Sequence, residues 1–157
     1  MNRYFFYLIF IFIVSAIYSC KNDNTVEILK YSVLKEYPHD ASSFTQGLVW
    51  ENGQLYEGTG LEGKSKLLNV DLATGKINKA VDLGAEYFGE GICILKDKIY
   101  QLTWQNRKVF VYDKSTFNLL QTFSIETEGW GICTDGQNLI VSDGTNKLSF
   151  YDPEKFQ

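Results

Sequence analysis

One carboxylate, Glu90, stands between two glycines in "YFGEGI", at the entrance to the apolar run "GICIL". A group so placed has two readings. It can exchange a proton with a bound substrate, or it can mark where a strand leaves solvent. Proton exchange near neutrality requires lost hydration, because burial disfavours the charged form and raises a carboxyl pKa. Aromatic faces would supply that loss. Phe88 lies two residues upstream, and two related stretches recur: "FTQGL" with Phe44 and Gln46, and "EGWGI" with Glu128 and Trp130. Gly89 and Gly91 would either let a substrate backbone come close or serve tight packing between blades.

These stretches belong to a longer repeat. "FTQGLVWENGQLYEGTG", "FGEGICILKDKIYQLTW" and "EGWGICTDGQNLIVSDG" align on Gly47, Gly91 and Gly131, which are 44 and 40 residues apart. Each anchor is followed eight residues later by an aliphatic side chain, Leu55, Ile99 or Leu139. Each repeat then reaches an apolar or aromatic residue before an aspartate: Asp71, Asp113 and Asp152. Short β-branched and aromatic runs alternate with Gly, Asn and Asp turns, and no helical periodicity follows the first segment. Four short strands per roughly 40 residues is the pattern of a β-propeller blade.

The fold expected is therefore all-β, a partial β-propeller over residues 31–157 with blades starting near residues 44, 88 and 128. About three blades are present. An open arc leaves faces and strand edges uncovered, so the sequence reads as a fragment of a longer protein. The stretch "VEILKYSVLKEYPHD" reads as a strand that would complete a last blade. In a propeller the first strand of each blade lines the central channel. Gln46, Glu90 and Trp130, equivalent in the repeat, should then ring the axis at one end. A hairpin centred near Asp97 would bring Glu90 opposite Trp104, at a Cβ separation of about 4.5–5.5 Å. Glu128 fits either the mouth or a turn. The three aspartates read as turn caps. Cys93 and Cys133 read as buried small hydrophobes, His39 as a loop residue with local hydrogen bonds, and "GTGLEGKS" as a turn between strands.

The N-terminus reads as a processing signal. Residues 1–19 carry one basic residue, Arg3, and about 14 mostly apolar residues, short of the roughly 20 that span a bilayer. With Cys20 the segment resembles a bacterial lipoprotein signal, and polar residues 20–30 read as a tether from lipid to domain. The expectation is an exported protein, lipid-anchored to a bacterial membrane and facing the periplasm or the surface. Net charge is −4 and becomes −5 without Arg3. No basic run exists, which argues against nucleic acid. A single histidine and three dispersed cysteines cannot build a His/Cys zinc site of any usual form, so no metal or other cofactor is expected.

"YPHDASSFTQGL", "LYEGTGL", "LLNVDLATGK", "FGEGI", "IYQLTWQ", "VFVYD", "EGWGICTDG" and "LIVSDGT" together resemble the plant and bacterial type of glutaminyl-peptide cyclotransferase, a five-bladed propeller. The resemblance spans nearly everything from about Val33 to Gln157. It implies metal-free conversion of an N-terminal glutamine, on peptides or proteins, to pyroglutamate with release of ammonia. It makes Glu90 the proton-transfer residue. Phe44, Gln46, Phe88, Trp104 and Trp130 would bind substrate. Apart from the resemblance, a monomer is expected. The family also draws an asparagine, a lysine and a further tryptophan from later blades, which this stretch of sequence does not assign. Two alternatives stay open: a non-enzymatic propeller lipoprotein that binds a peptide or glycan, and a truncated, inactive cyclase.

Overall fold

A computed structural model describes residues 28–157. The signal segment 1–19, the lipidation candidate Cys20 and most of the tether lie outside the described residues. Residues 28–35 are exposed and without regular structure, and the folded unit runs from Glu36 to Gln157. Residues 28–44 hold no strand, and the last blade that this stretch was expected to complete is not among the described residues. An extended segment becomes a strand only when a neighbour completes its hydrogen bonds.

Every regular element among the described residues is a strand, and every pairing is antiparallel. The first sheet is β1 (Thr45–Glu51), β2 (Gln54–Thr59), β3 (Lys66–Val70) and β4 (Ile77–Asp82), in chain order. The second repeats this order with β5 (Gly89–Leu95), β6 (Lys98–Thr103), β7 (Lys108–Asp113) and β8 (Leu119–Ser124). The third holds β9 (Ile132–Thr134), β10 (Leu139–Ser142) and β11 (Leu148–Tyr151). These are three successive blades of a propeller arc, with β1, β5 and β9 as neighbouring inner strands. "GTGLEGKS" spans the loop from β2 into β3.

Strand alternation builds two cores between the sheets. Side chains of successive residues leave a strand on opposite faces. From β5, Ile92 and Ile94 enter the first core with Leu67, Ile99 and Phe110, while Cys93 and Leu95 enter the second with Leu102, Val109, Leu139 and Val141. Burial pushes the Cys93 thiol up to about 12, so it behaves as an inert apolar group. Cys133 was expected to share that burial, but it is exposed. Ile132 takes the covered face of β9 and packs on the second core. Cys133 takes the opposite face, over which no further sheet of the described residues packs.

The repeated aspartates close identical loops. The N–H of the fourth residue after each donates to its carbonyl: Gly75 to Asp71, Phe117 to Asp113 and Phe156 to Asp152, at 2.7–2.8 Å. The Asp113 carboxylate also accepts from the backbone N–H and hydroxyl groups of Ser115 and Thr116. These bonds hold its pKa down, at about 2. The fourth residue is left-handed, with φ of 71° at Gly75, 64° at Phe117 and 56° at Phe156. A side chain there costs about 1–2 kcal/mol. Both phenylalanines are buried, Phe117 in the first core and Phe156 in the second, and that burial offsets the strain.

His39 is a loop residue, but its partner is distant in sequence. Its Nε2 lies 3.0 Å from Oε1 of Glu57, a carboxylate 1% exposed on β2. Thr45 Oγ1 donates to the same oxygen at 2.5 Å. The segment before β1 is thereby tied to the first sheet.

Phe117 offers a test of the strained loop. Phe117→Ala should destabilise the protein by roughly 3–5 kcal/mol. Phe117→Gly should cost less by about 1 kcal/mol, because glycine meets no penalty at positive φ. Urea denaturation of both variants measures the order; glycine proving worse than alanine would mean that φ strain is not felt at this site.

Candidate functional site

The site begins with two breaks in strand pairing. In β1, Thr45 faces Thr59 but Gly47 faces Gly58, which leaves Gln46 as an extra residue. In β5, Gly89 faces Thr103 but Ile92 faces Gln101, so Glu90 and Gly91 together oppose Leu102. Such bulges re-aim a side chain out of the ladder. Gln46 and Glu90 are re-aimed toward each other, and Gln46 Nε2 donates to Glu90 Oε2 at 2.6 Å.

The turn and the bulge together correct the expected Glu90–Trp104 pairing. Leu95 pairs with Lys98, so the hairpin centres between Lys96 and Asp97 rather than on Asp97, and with one further residue added to β5 the backbone partner of Trp104 is Phe88: Trp104 N donates to Phe88 O at 3.0 Å. Their rings meet edge to face at 5.7 Å and 69°, and Phe88 meets Phe44 at 6.0 Å and 82°. A run of aromatic faces, Phe44, Phe88 and Trp104, therefore extends along the ends of β1 and β5.

The flanking glycines serve packing rather than substrate approach. A Cβ on Gly89 would lie 2.5 Å from Thr59 O, and one on Gly91 would lie 2.7 Å from Trp130 O. Gly91 N also donates to Trp130 O at 2.9 Å. Only a residue without a side chain allows the neighbouring sheets to meet this closely. Glu90, held between the two, has little freedom to move.

Trp130 enters from the third sheet. Its N–H donates to Ser142 O at 3.0 Å, and its ring lies over Gly144, where a Cβ would come within 2.8–3.0 Å. Glu128 is the residue whose role the repeat left open between mouth and turn. It is half-buried, and its Oε2 accepts from Trp104 Nε1 at 2.8 Å and from Trp130 Nε1 at 3.1 Å. The signal available in sequence was its position, equivalent to Phe44 and Phe88 but of different chemistry.

Glu90 is half-buried, and its pKa is raised from 4.5 to about 7. Desolvation is the main cause; the nearby Glu128 charge adds to it, and the Gln46 hydrogen bond opposes it. A carboxyl group poised there can both give and take a proton near neutrality. Among the described residues no group of three or more His, Cys, Asp or Glu side chains is arranged to hold a metal. A separate cleft of about 460 Å³ opens between residues 40–44, the 59–64 loop and the outer face of the first sheet. Its charges include the Lys66–Asp82 ion pair at 2.9 Å, and it does not reach Glu90.

The sequence model of the glutamine cyclotransferase family matches residues 7–157. A glutaminyl-peptide cyclotransferase of Arabidopsis thaliana is 40% identical over 134 residues, which is 84% of this chain and 42% of the plant protein. Among solved structures, the glutaminyl cyclase of Myxococcus xanthus matches with a TM-score of 0.74 at 32% identity, over 80% of this chain and 53% of its own. BamB of Moraxella catarrhalis matches with a TM-score of 0.56 at 15% identity, over 75% of this chain and 36% of its own, a likeness of fold alone. The chain thus spans about half the length of the two cyclases it matches.

The raised pKa has a consequence for stability. Folded Glu90 holds its proton more tightly than a glutamate of the unfolded chain, so between pH 4.5 and about 7 the native state binds more protons and stability falls as pH rises. Glu90→Gln removes that loss. Its urea midpoint should exceed that of the wild type at pH 8, with the gap closing toward pH 5. A gap independent of pH would mean that Glu90 titrates as an ordinary carboxylate.

Proposed function

Because the chain belongs to the glutamine cyclotransferase family, we propose that it carries the proton-transfer part of a glutaminyl-peptide cyclotransferase. The substrate would be a peptide or protein with an N-terminal glutamine, and the products pyroglutamate and ammonia. The observation that carries this reading is Glu90: a half-buried carboxyl group near neutrality, fixed by Gln46 and bordered by aromatic rings.

The reaction is intramolecular. The α-amino nitrogen attacks the side-chain carbonyl carbon, a C–N bond forms, and the bond to the amide nitrogen breaks. An extended glutamine cannot reach this geometry, so holding a folded rotamer is a large part of catalysis. Phe44, Phe88, Trp104 and Trp130 would wall the folded side chain and exclude water. Glu90 would take a proton from the attacking amine and deliver one to the departing nitrogen, which leaves as ammonia. Gln46 donates one amide hydrogen to Glu90; its other N–H and its carbonyl could hold the substrate amine or amide. Polar groups near the carbonyl oxygen would stabilise the developing oxyanion.

The chemistry needs no metal, in keeping with a chain that has one histidine. The signal-like segment ahead of Cys20 supports export and lipid anchoring. A binding-only propeller has no evident use for a carboxylate desolvated at a strand bulge.

The test is ammonia release from a Gln-initiated peptide by the full-length protein, with and without chelator. Turnover should persist in chelator, and Glu90→Gln should lower kcat by at least about 100-fold, the scale of general acid–base catalysis, while near-ultraviolet circular dichroism is unchanged. No turnover, turnover lost to chelator, or an unimpaired Glu90→Gln would each refute this mechanism.

A further inference from the structure

Glu128 takes no part in the proton transfers above, yet it contacts two of the site's aromatic side chains. One of its oxygens, Oε2, accepts both indole N–H groups, Trp104 at 2.8 Å and Trp130 at 3.1 Å. The two indoles come from different sheets. Trp104 follows β6 of the second, and Trp130 precedes β9 of the third. Two N–H vectors that converge on one oxygen fix both ring orientations together.

Packing alone does not do this. Trp130 is 48% exposed, with Gly144 beneath its ring, and Trp104 touches Phe88 by an edge. The backbone brings the acceptor into place: Gly129 N donates to Thr103 O at 3.3 Å, which lays the segment before β9 along the end of β6. Among the described residues no Lys, Arg or His forms an ion pair with Glu128. Its charge is therefore met by indole donors and solvent, and it acts on Glu90 without a cation between them. The hydrogen-bond partner of Glu90, Gln46 of β1, is uncharged, and so are Gln101 and Thr103 of β6, the residues paired at the two ends of the bulge.

We propose that Glu128 is the positioning residue of this site: it holds Trp104 and Trp130 as one pocket wall across two sheets, and from that wall its carboxylate acts on Glu90. Its effect on turnover rests on the cyclotransferase reading, but the clamp itself does not. The two functions are separable. Glu128→Gln keeps an acceptor oxygen for the indoles and removes the charge. Glu128→Ala removes both.

The experiment uses the full-length protein in two arms. The first, without substrate, follows the Trp104 and Trp130 indole N–H resonances and the titration of the Glu90 carboxyl carbon by NMR. In Glu128→Ala both indole resonances should move upfield, and in both variants the Glu90 titration should move to lower pH. The second arm measures turnover of a Gln-initiated peptide. Glu128→Ala should raise KM about tenfold, the loss expected when a hydrogen bond to a charged group is removed. Glu128→Gln should chiefly move the acidic limb of the pH profile to lower pH. Unmoved indole resonances in Glu128→Ala would overturn the clamp, and an unmoved Glu90 titration in Glu128→Gln would overturn the charge. Absence of turnover in the wild type would refute the cyclotransferase reading while leaving the first arm to judge Glu128. Should Glu128→Ala fail to fold, the indole resonances of the wild type decide: shifts of free rather than bonded indoles overturn the proposal.

Discussion

At Gly91 two sheets touch backbone to backbone, and the site depends on that contact. Gly91 N reaches Trp130 O at 2.9 Å, where no side chain could stand between. Gly89, two residues earlier, is pressed as closely against Thr59 of the first sheet. Glu90 is thus fixed from both sides before any of its own contacts are counted. The bulge at the same point turns its side chain away from the β6 ladder and toward Gln46. Sheet packing, strand irregularity and the acid group are one arrangement.

That arrangement has an electrostatic cost which the fold sustains. A carboxyl group raised to about 7 is destabilised when charged, and a second carboxylate nearby increases the effect. Glu57 has a different, structural place in the fold. It is more deeply buried, yet it receives Thr45 Oγ1 and stands beside His39. One carboxylate is matched by its neighbours and ties a segment down; the other is left partly unmatched and can exchange a proton.

The repeat was legible because its marks recur at fixed spacing: the glycine anchors, the aliphatic eight residues on, and the terminal aspartate. From them came the strand composition, the blade pattern and the nearness of Gln46 to Glu90. Strand register was not legible. The extra residues at Gln46 and at Glu90–Gly91 leave no trace in the apolar alternation, which resumes unchanged at Ile92. The expected facing of Glu90 and Trp104 failed for that reason and because the turn centres between Lys96 and Asp97, not on Asp97, and Phe88 took the place of Glu90. Cys133 was misjudged because the equivalence with Cys93 carries over the face of the strand but not what covers that face. Glu128 could not be assigned, since its two donors lie 24 residues upstream and two downstream, and only the third dimension unites them.

Phe117 and Phe156 have a meaning for how such a molecule could have grown. Each ends an aspartate loop, turns left-handed, and fills the gap between its own sheet and the one before. A repeat of this kind brings its own plug for the joint with its predecessor. Tandem duplication could then add a blade together with the means of seating it, with no new joint to evolve. The first repeat breaks the series with Gly75, and there the backbone of Pro38 occupies the space that a side chain would need.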